Sequence, residues 1–277
     1  MKISRPRLVP LVFALIAAVA LVGCDSTGSS PNNSGTVKVS FSTASSSTQS
    51  TTALAKAASD SLVLSGSNGT LTITDIRLIV DKVKLKQNTD STGANGAEIE
   101  IEREVEVEQP RFLDLPLQKS KVSPVAAGDI PAGTYDEFEF EVDDLDDDSD
   151  GEGDDDADDE GNVQGLLTDI RKEFPNWPKD ASMIVIGTFT PTGGTPTSFS
   201  TYFEAEIEVE QMLTPPIEVN SEGFSRELIV RLDPARWFER SNGTIKDLSQ
   251  FDYGETGTVK ELEAEFEQGV AEIEYGN

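Results

Sequence analysis

Thr134–Val142 reads TYDEFEFEV. Glu137, Glu139 and Glu141 take the odd positions, and Phe138, Phe140 and Val142 the even ones. Successive side chains of an extended strand point to opposite faces, so this alternation describes a strand with one face in a core and a carboxylate face in water. The pattern recurs. Glu98–Glu108, EIEIEREVEVE, carries an acid at every even position and Ile99, Ile101, Val105 and Val107 at odd ones. Phe203–Glu210 alternates Phe203, Ala205, Ile207 and Val209 with Glu204, Glu206, Glu208 and Glu210. The chain is therefore mainly β, and its acids are a property of the sheet surface.

Working outward adds further elements. Thr36–Ser42 is a first strand, with Val37, Val39 and Phe41 on one face. Ala44–Ser59 has no apolar period and reads as a loop. Ser67-Asn68-Gly69 between two short apolar runs is a hairpin signal, because Asn-Gly suits a two-residue turn. Ile76–Lys86 is a long strand, followed by a loop at Gln87–Ala97. Its lysines, Lys82, Lys84 and Lys86, alternate as Glu98, Glu100 and Glu102 do. A hairpin would set the two rows side by side as opposite charges across strands. Phe112–Leu117 is a short strand, and Ile130-Pro131-Ala132-Gly133 a turn. Val163–Phe174 has helical spacing. Ser182–Thr190, Ser198–Met212 (ended by Pro215-Pro216) and Arg226–Leu232 are strands. Thr258–Tyr275 places Val259, Leu262, Phe266, Val270 and Ile273 near a 3.6-residue period, which predicts a C-terminal amphipathic helix.

The expected fold is an antiparallel β-sandwich, Ig-like or transthyretin-like, with that helix packed on it. The expected organisation is a leader over residues 1–23, a tether over 24–35, one sandwich domain over 36–250 and a C-terminal segment over 251–277. Within the domain, 143–162 reads as a disordered acidic insertion.

The formal net charge is −29. Because the acids lie on strands as well as in one tract, the whole surface repels phosphate, which argues against a nucleic-acid partner. Such a surface is screened at high salt, where the Debye length shrinks to about 3 Å at 1 M, and it fits a salt-adapted, halophilic setting.

The N-terminus names a destination. Lys2, Arg5 and Arg7 precede an apolar run, Leu8–Val22, which is too short to span a bilayer comfortably and reads as a secretory signal peptide. Leu21-Val22-Gly23-Cys24 closes it, and Cys24 is the one cysteine in the chain. This tetrapeptide resembles the lipobox of bacterial lipoproteins. The resemblance implies that Cys24 is acylated and holds the protein to a membrane of the cell envelope, with Asp25–Gly35 as the tether. No cysteine is then left for a disulfide.

The residue types present restrict the chemistry. There is no histidine, so Ser-His-Asp and Cys-His catalysis and His- or Cys-dependent zinc sites are excluded. A hydrolase built from two carboxylates stays open. Trp177 and Trp237 are the two tryptophans and the candidate platforms for a carbohydrate ligand, against the plainer reading that they pack in a core. The tract Asp143–Asn162, DDLDDDSDGEGDDDADDEGN, carries thirteen acids in twenty residues. Asp146, Asp148 and Asp150 before Gly151 resemble the start of a calcium loop, with Glu152, Asp154 or Asp156 to close it. Ala157 stands where an EF-hand requires an acid, so the choice lies between a loose, weak Ca²⁺ site and a solvated loop. No organic cofactor is implied.

Five pieces in order, Val37–Ala44 (VKVSFSTA), Leu71–Leu85 (LTITDIRLIVDKVKL), Phe112–Leu117 (FLDLPL), Ile130–Val142 (IPAGTYDEFEFEV) and Glu227–Asp233 (ELIVRLD), resemble an uncharacterised domain family of bacterial envelope lipoproteins, domain of unknown function 4382. The resemblance implies a β-sandwich, a lipid anchor and no established activity, and it carries over no catalytic residue. The expectation is a lipid-anchored, exported, non-enzymatic envelope protein that acts as a binding or structural module. Its alternatives are a carboxylate hydrolase and a surface carbohydrate-binding module. The sequence names no protein or glycan partner.

Overall fold

The computed structural model describes residues 34–44, 61–92, 98–107, 109–145, 157–205, 207–219 and 224–276. In chain order the elements are β1 (Ser34–Thr43), β2 (Leu62–Gly66), β3 (Gly69–Thr92), β4 (Glu98–Val107), β5 (Arg111–Asp114), β6 (Ser123–Pro131) and β7 (Gly133–Val142). Then come α1 (Ala157–Glu173), β8 (Met183–Pro191), β9 (Thr197–Glu204), β10 (Ile207–Val219), β11 (Ser225–Leu232) and α2 (Pro234–Phe238). A 3-10 turn (Leu248–Phe251), α3 (Tyr253–Thr256), β12 (Lys260–Glu261), α4 (Glu263–Gln268) and β13 (Val270–Gly276) complete the chain. The protein is mainly β, as its alternation predicts.

The spine is β3, 24 residues long. Leu71, Ile73, Ile76, Leu78, Val80, Val83 and Leu85 are all buried. Their spacing is two, except for two steps of three. A strand holds one face only at a spacing of two, so each longer step needs a bulge. Register shifts stand at both places, between Ile73 and Asp75 and between Val80 and Lys82.

Two strands run end to end along one side of β3. Val142 of β7 lies opposite Val80, and Met183 of β8 lies opposite Leu78. Outside them β10 and β9 repeat the arrangement, with Ile207 opposite Val142 and Phe203 opposite Met183. On the other side lie β2, β5 and β4. Everything from Asp143 to Ser182 is thus an excursion between two halves of one strand line. The second sheet has the order β13-β11-β1-β6.

The two sheets share one apolar core. Val37, Val39 and Phe41 of β1 and Leu228, Val230 and Leu232 of β11 pack with Phe138, Phe140 and Val142 of β7 and the inward residues of β3. Phe41 meets Phe140 edge to face with centroids 5.2 Å apart, the geometry that the ring quadrupoles favour. A smaller cluster lies on the opposite face of the long sheet. There Ile170 of α1 covers Ile79, Ile184 and Tyr202, together with Trp177, Ala181 and Leu145.

Several expectations need correction. The C-terminal amphipathic helix is absent. Thr258–Tyr275 instead contains β12, the short α4 and β13, and β13 pairs antiparallel with β11. The apolar residues there mix two periods. Leu262 and Phe266 are one helical turn apart and buried, while AEIEYG after Gly269 alternates as a strand does. Gly269 joins them where no side chain fits, since a Cβ would stand 1.9 Å from Trp237 Nε1. The segment after residue 250 is therefore part of the body Asn33–Asn277. The sheets are not purely antiparallel either, because β1 runs parallel to β11 and β9 to β12.

Smaller corrections follow from the same pairing. The Ile130–Gly133 turn is tighter than expected, with only Ala132 between β6 and β7. The strand expected at Ser198–Met212 is two strands, and β10 continues through Pro215-Pro216 with a register shift between Met212 and Ile217. Helix α1 begins at Ala157, within the acidic tract. The loop at Ala44–Ser59 lies outside the described residues beyond Ala44.

Candidate functional site

Many of the residues singled out in the sequence lie outside the described residues. The leader, Cys24 and the tether up to residue 33 lie outside the described residues, as do Asp146, Asp148, Asp150, Glu152 and Asp154. Both tryptophans are buried. Trp177 donates its indole N–H to the Ala181 carbonyl at 3.0 Å and packs edge-on against Phe112 and Tyr202. Trp237 stacks on Phe266 and donates to that residue's carbonyl at 3.2 Å. Neither ring is a sugar platform, and the carbohydrate reading loses the residues on which it stood.

The carboxylates that the fold does gather are on β7 and β10. Glu137, Glu139 and Glu210 bring oxygens within 4.8 Å of one another, a spacing that fits one cation. The register explains why. Glu210 lies opposite Glu139 on the neighbouring strand, and Glu137 is two residues along β7 on the same face. A cation already sits among them. Lys86 Nζ lies 2.9 Å from Glu137 Oε1 and 2.9 Å from Glu210 Oε1, and it also reaches Glu139. Lys84 Nζ approaches the other oxygen of Glu139 at 2.7 Å, and Lys82 pairs with Glu141 at 3.3 Å.

The result is a ladder across three strands, in which Lys82, Lys84 and Lys86 of β3 face Glu141, Glu139 and Glu137 of β7. The sequence pattern paired these lysines with Glu98, Glu100 and Glu102. In β4 those glutamates lie opposite Thr92, Asp90 and Asn88, and Glu106 and Glu104 are the residues opposite Lys84 and Lys86. The signal that would have found the true partner is the matching alternation of KVKLK and EFEFE. The Glu-rich β4 carries the same alternation and hid it.

Glu139 is the centre of the ladder, with its side chain 1% exposed. Burial pushes its carboxyl up, but hydrogen bonds from Lys84 and Lys86 outweigh that and hold it below the ordinary carboxylate value. The hydrogen bond it shares with Glu208 moves that carboxyl the other way, upward. Lys86 is raised above the usual ammonium range, first by its hydrogen bond to Glu139. A displaced carboxyl pair of this kind can serve acid–base chemistry when it opens on a cleft. Here the low member is sealed beneath two ammonium groups, so no substrate atom reaches it. The ladder reads as structure.

Searches against protein-family models, curated proteins and solved structures find no match to this chain.

Proposed function

We propose that this protein is a lipid-anchored, non-enzymatic component of a bacterial cell envelope, a β-sandwich that serves as a binding or structural module. The observation that carries the reading is Leu21-Val22-Gly23-Cys24, with the one cysteine of the chain at the position that a lipobox requires. The distance between Cys24 and β1 supports it. Nine residues, Asp25–Asn33, separate the anchor from Ser34; all are small or polar, and they suit a tether. The sandwich reading is supported by the core between the two sheets, including the Phe41–Phe140 contact. A non-enzymatic role is supported by the ladder, where the best-gathered carboxylates are occupied by lysines.

Two acyl chains hold a protein to a membrane firmly, at about 0.8 kcal/mol per buried CH₂, whereas none holds it at all. Replacing Cys24 with Ser should therefore move the protein from the membrane fraction to the soluble exported fraction, or leave it as unprocessed precursor. A Cys24→Ser protein that is processed and membrane-bound like the parent contradicts the reading.

A further inference from the structure

A groove of about 280 Å³ lies between the end of α1 and the start of α3. Ile184 and Ile186 of β8 and Ser200 and Tyr202 of β9 form its floor. Phe174 and Pro175 form one wall, and Asp252 and Tyr253 the other. Its size is at the small end for ligand clefts, which run from roughly 300 Å³.

Three observations bear on what it holds. Its charged lining residues are Glu173 and Asp252, and no lysine or arginine lines it. Glu173 is engaged by Arg77 at 3.2 Å. Asp252 is not so engaged: one oxygen accepts the Ser200 N–H at 2.7 Å, and no ion pair to it is formed among the described residues. Tyr202 is 5% exposed, and its hydroxyl makes no hydrogen bond among the described residues. Burial and the neighbouring Tyr253 push that hydroxyl up to about 12, so it stays protonated and neutral. Tyr202 and Tyr253 meet nearly at right angles, with centroids 5.0 Å apart, so they form a corner and not the flat platform on which a sugar ring stacks.

We propose that this groove binds a small organic cation, an amine or quaternary ammonium compound, set against Tyr253 with its charge toward Asp252; the ring of Phe174 is already faced by the Arg77 guanidinium, 6.0 Å from its centroid. Aromatic π-faces attract a desolvated cation. A half-buried carboxylate without a cationic partner supplies the counter-charge, and the field of a strongly acidic protein concentrates cations near it. An anion is repelled by the same groups. The site does not involve the lipid anchor, so failure of either proposal leaves the other standing.

The test is calorimetric titration of the full-length protein at low ionic strength with choline, with its neutral tert-butyl analogue and with methyl glucoside. Choline should bind saturably and the neutral analogue at least about tenfold more weakly. Asp252→Asn keeps the oxygen that accepts from Ser200, and Tyr253→Ala removes one aromatic wall; each should weaken choline by about 3- to 30-fold. Tyr253→Phe should retain binding, and matched thermal unfolding controls for folding. Equal binding of choline and its neutral analogue overturns the proposal, as does an absence of saturation. Binding indifferent to both groove variants also overturns it and marks a diffuse cation cloud. Preference for the glucoside makes the groove a sugar site instead.

Discussion

Lys86 is one ammonium among three carboxylates, and its neighbour Glu139 is wholly buried. Removing one partner of a buried ion pair leaves uncompensated charge, which costs about 3–5 kcal/mol, while exposed pairs contribute about 0–1 kcal/mol. Lys86→Met should therefore lower unfolding stability by roughly 3 kcal/mol. Lys82→Met, at the more exposed end of the ladder, should cost under about 1 kcal/mol. Urea denaturation of both variants reads the contrast, and equal losses would show that the ladder has no buried centre. The opened triad should also become a cation site, so millimolar Ca²⁺ or Mg²⁺ should restore part of the loss in Lys86→Met alone. Acid behaviour follows from Glu139. Its carboxyl is held below the ordinary 4.5, so its contribution is present above that value and disappears as pH falls through the lower folded value. The raised Glu208 works in the opposite sense and offsets part of this. Glu139→Gln should flatten the fall in stability below about pH 4.5, measured by denaturation at a series of pH values. An unchanged acid limb would contradict the assignment.

At the scale of elements, the turn at Gly269 is the sharpest test. α4 and β13 meet beneath Trp237, and a Cβ on residue 269 would overlap the indole nitrogen. Gly269→Ala should destabilise by about 1–3 kcal/mol as an overpacked core position. Loss of tryptophan fluorescence anisotropy on the same variant would report the displaced ring, and a neutral effect in urea denaturation would contradict this junction. The strands β1, β3, β7, β8 and β11 are legible because apolar residues recur at every second position along each, and even the bulges of β3 are written in its two three-residue steps. β13 was not legible. Val270 and Ile273 continue a helical period begun at Leu262, and the competing alternation of AEIEYG is only a few residues long. Pairing partners were hidden for a different reason. Alternation fixes which residues share a face and says nothing of which strand lies alongside, so the lysine row of β3 fits the glutamate rows of β4 and β7 equally well in sequence. The gathering of Glu137, Glu139 and Glu210 depends on the β7–β10 register, a contact between distant segments with no local signal. The tryptophans show the same limit: an isolated Trp has no period, and only packing decides that both are core.

At the scale of the whole molecule, the chain combines an apolar N-terminal run that ends at its one cysteine, a short polar stretch, and a two-sheet body with acidic rows on its strands. Two groups of acids stand apart. Those of the ladder are neutralised in place by lysines on β3, while the tract over 143–162 lies in sequence between β7 and β8, ahead of the point where α1 packs on the sheet through Ile170. Removing the charge of the tract should therefore leave the core intact. The claim on which the functional reading rests is the anchor, and mass spectrometry of the mature protein extracted from membranes tests it most directly. The account predicts an N-terminal peptide that begins at Cys24 and carries acyl chains. A mature N-terminus at any other residue, or an unmodified Cys24 thiol, would contradict it.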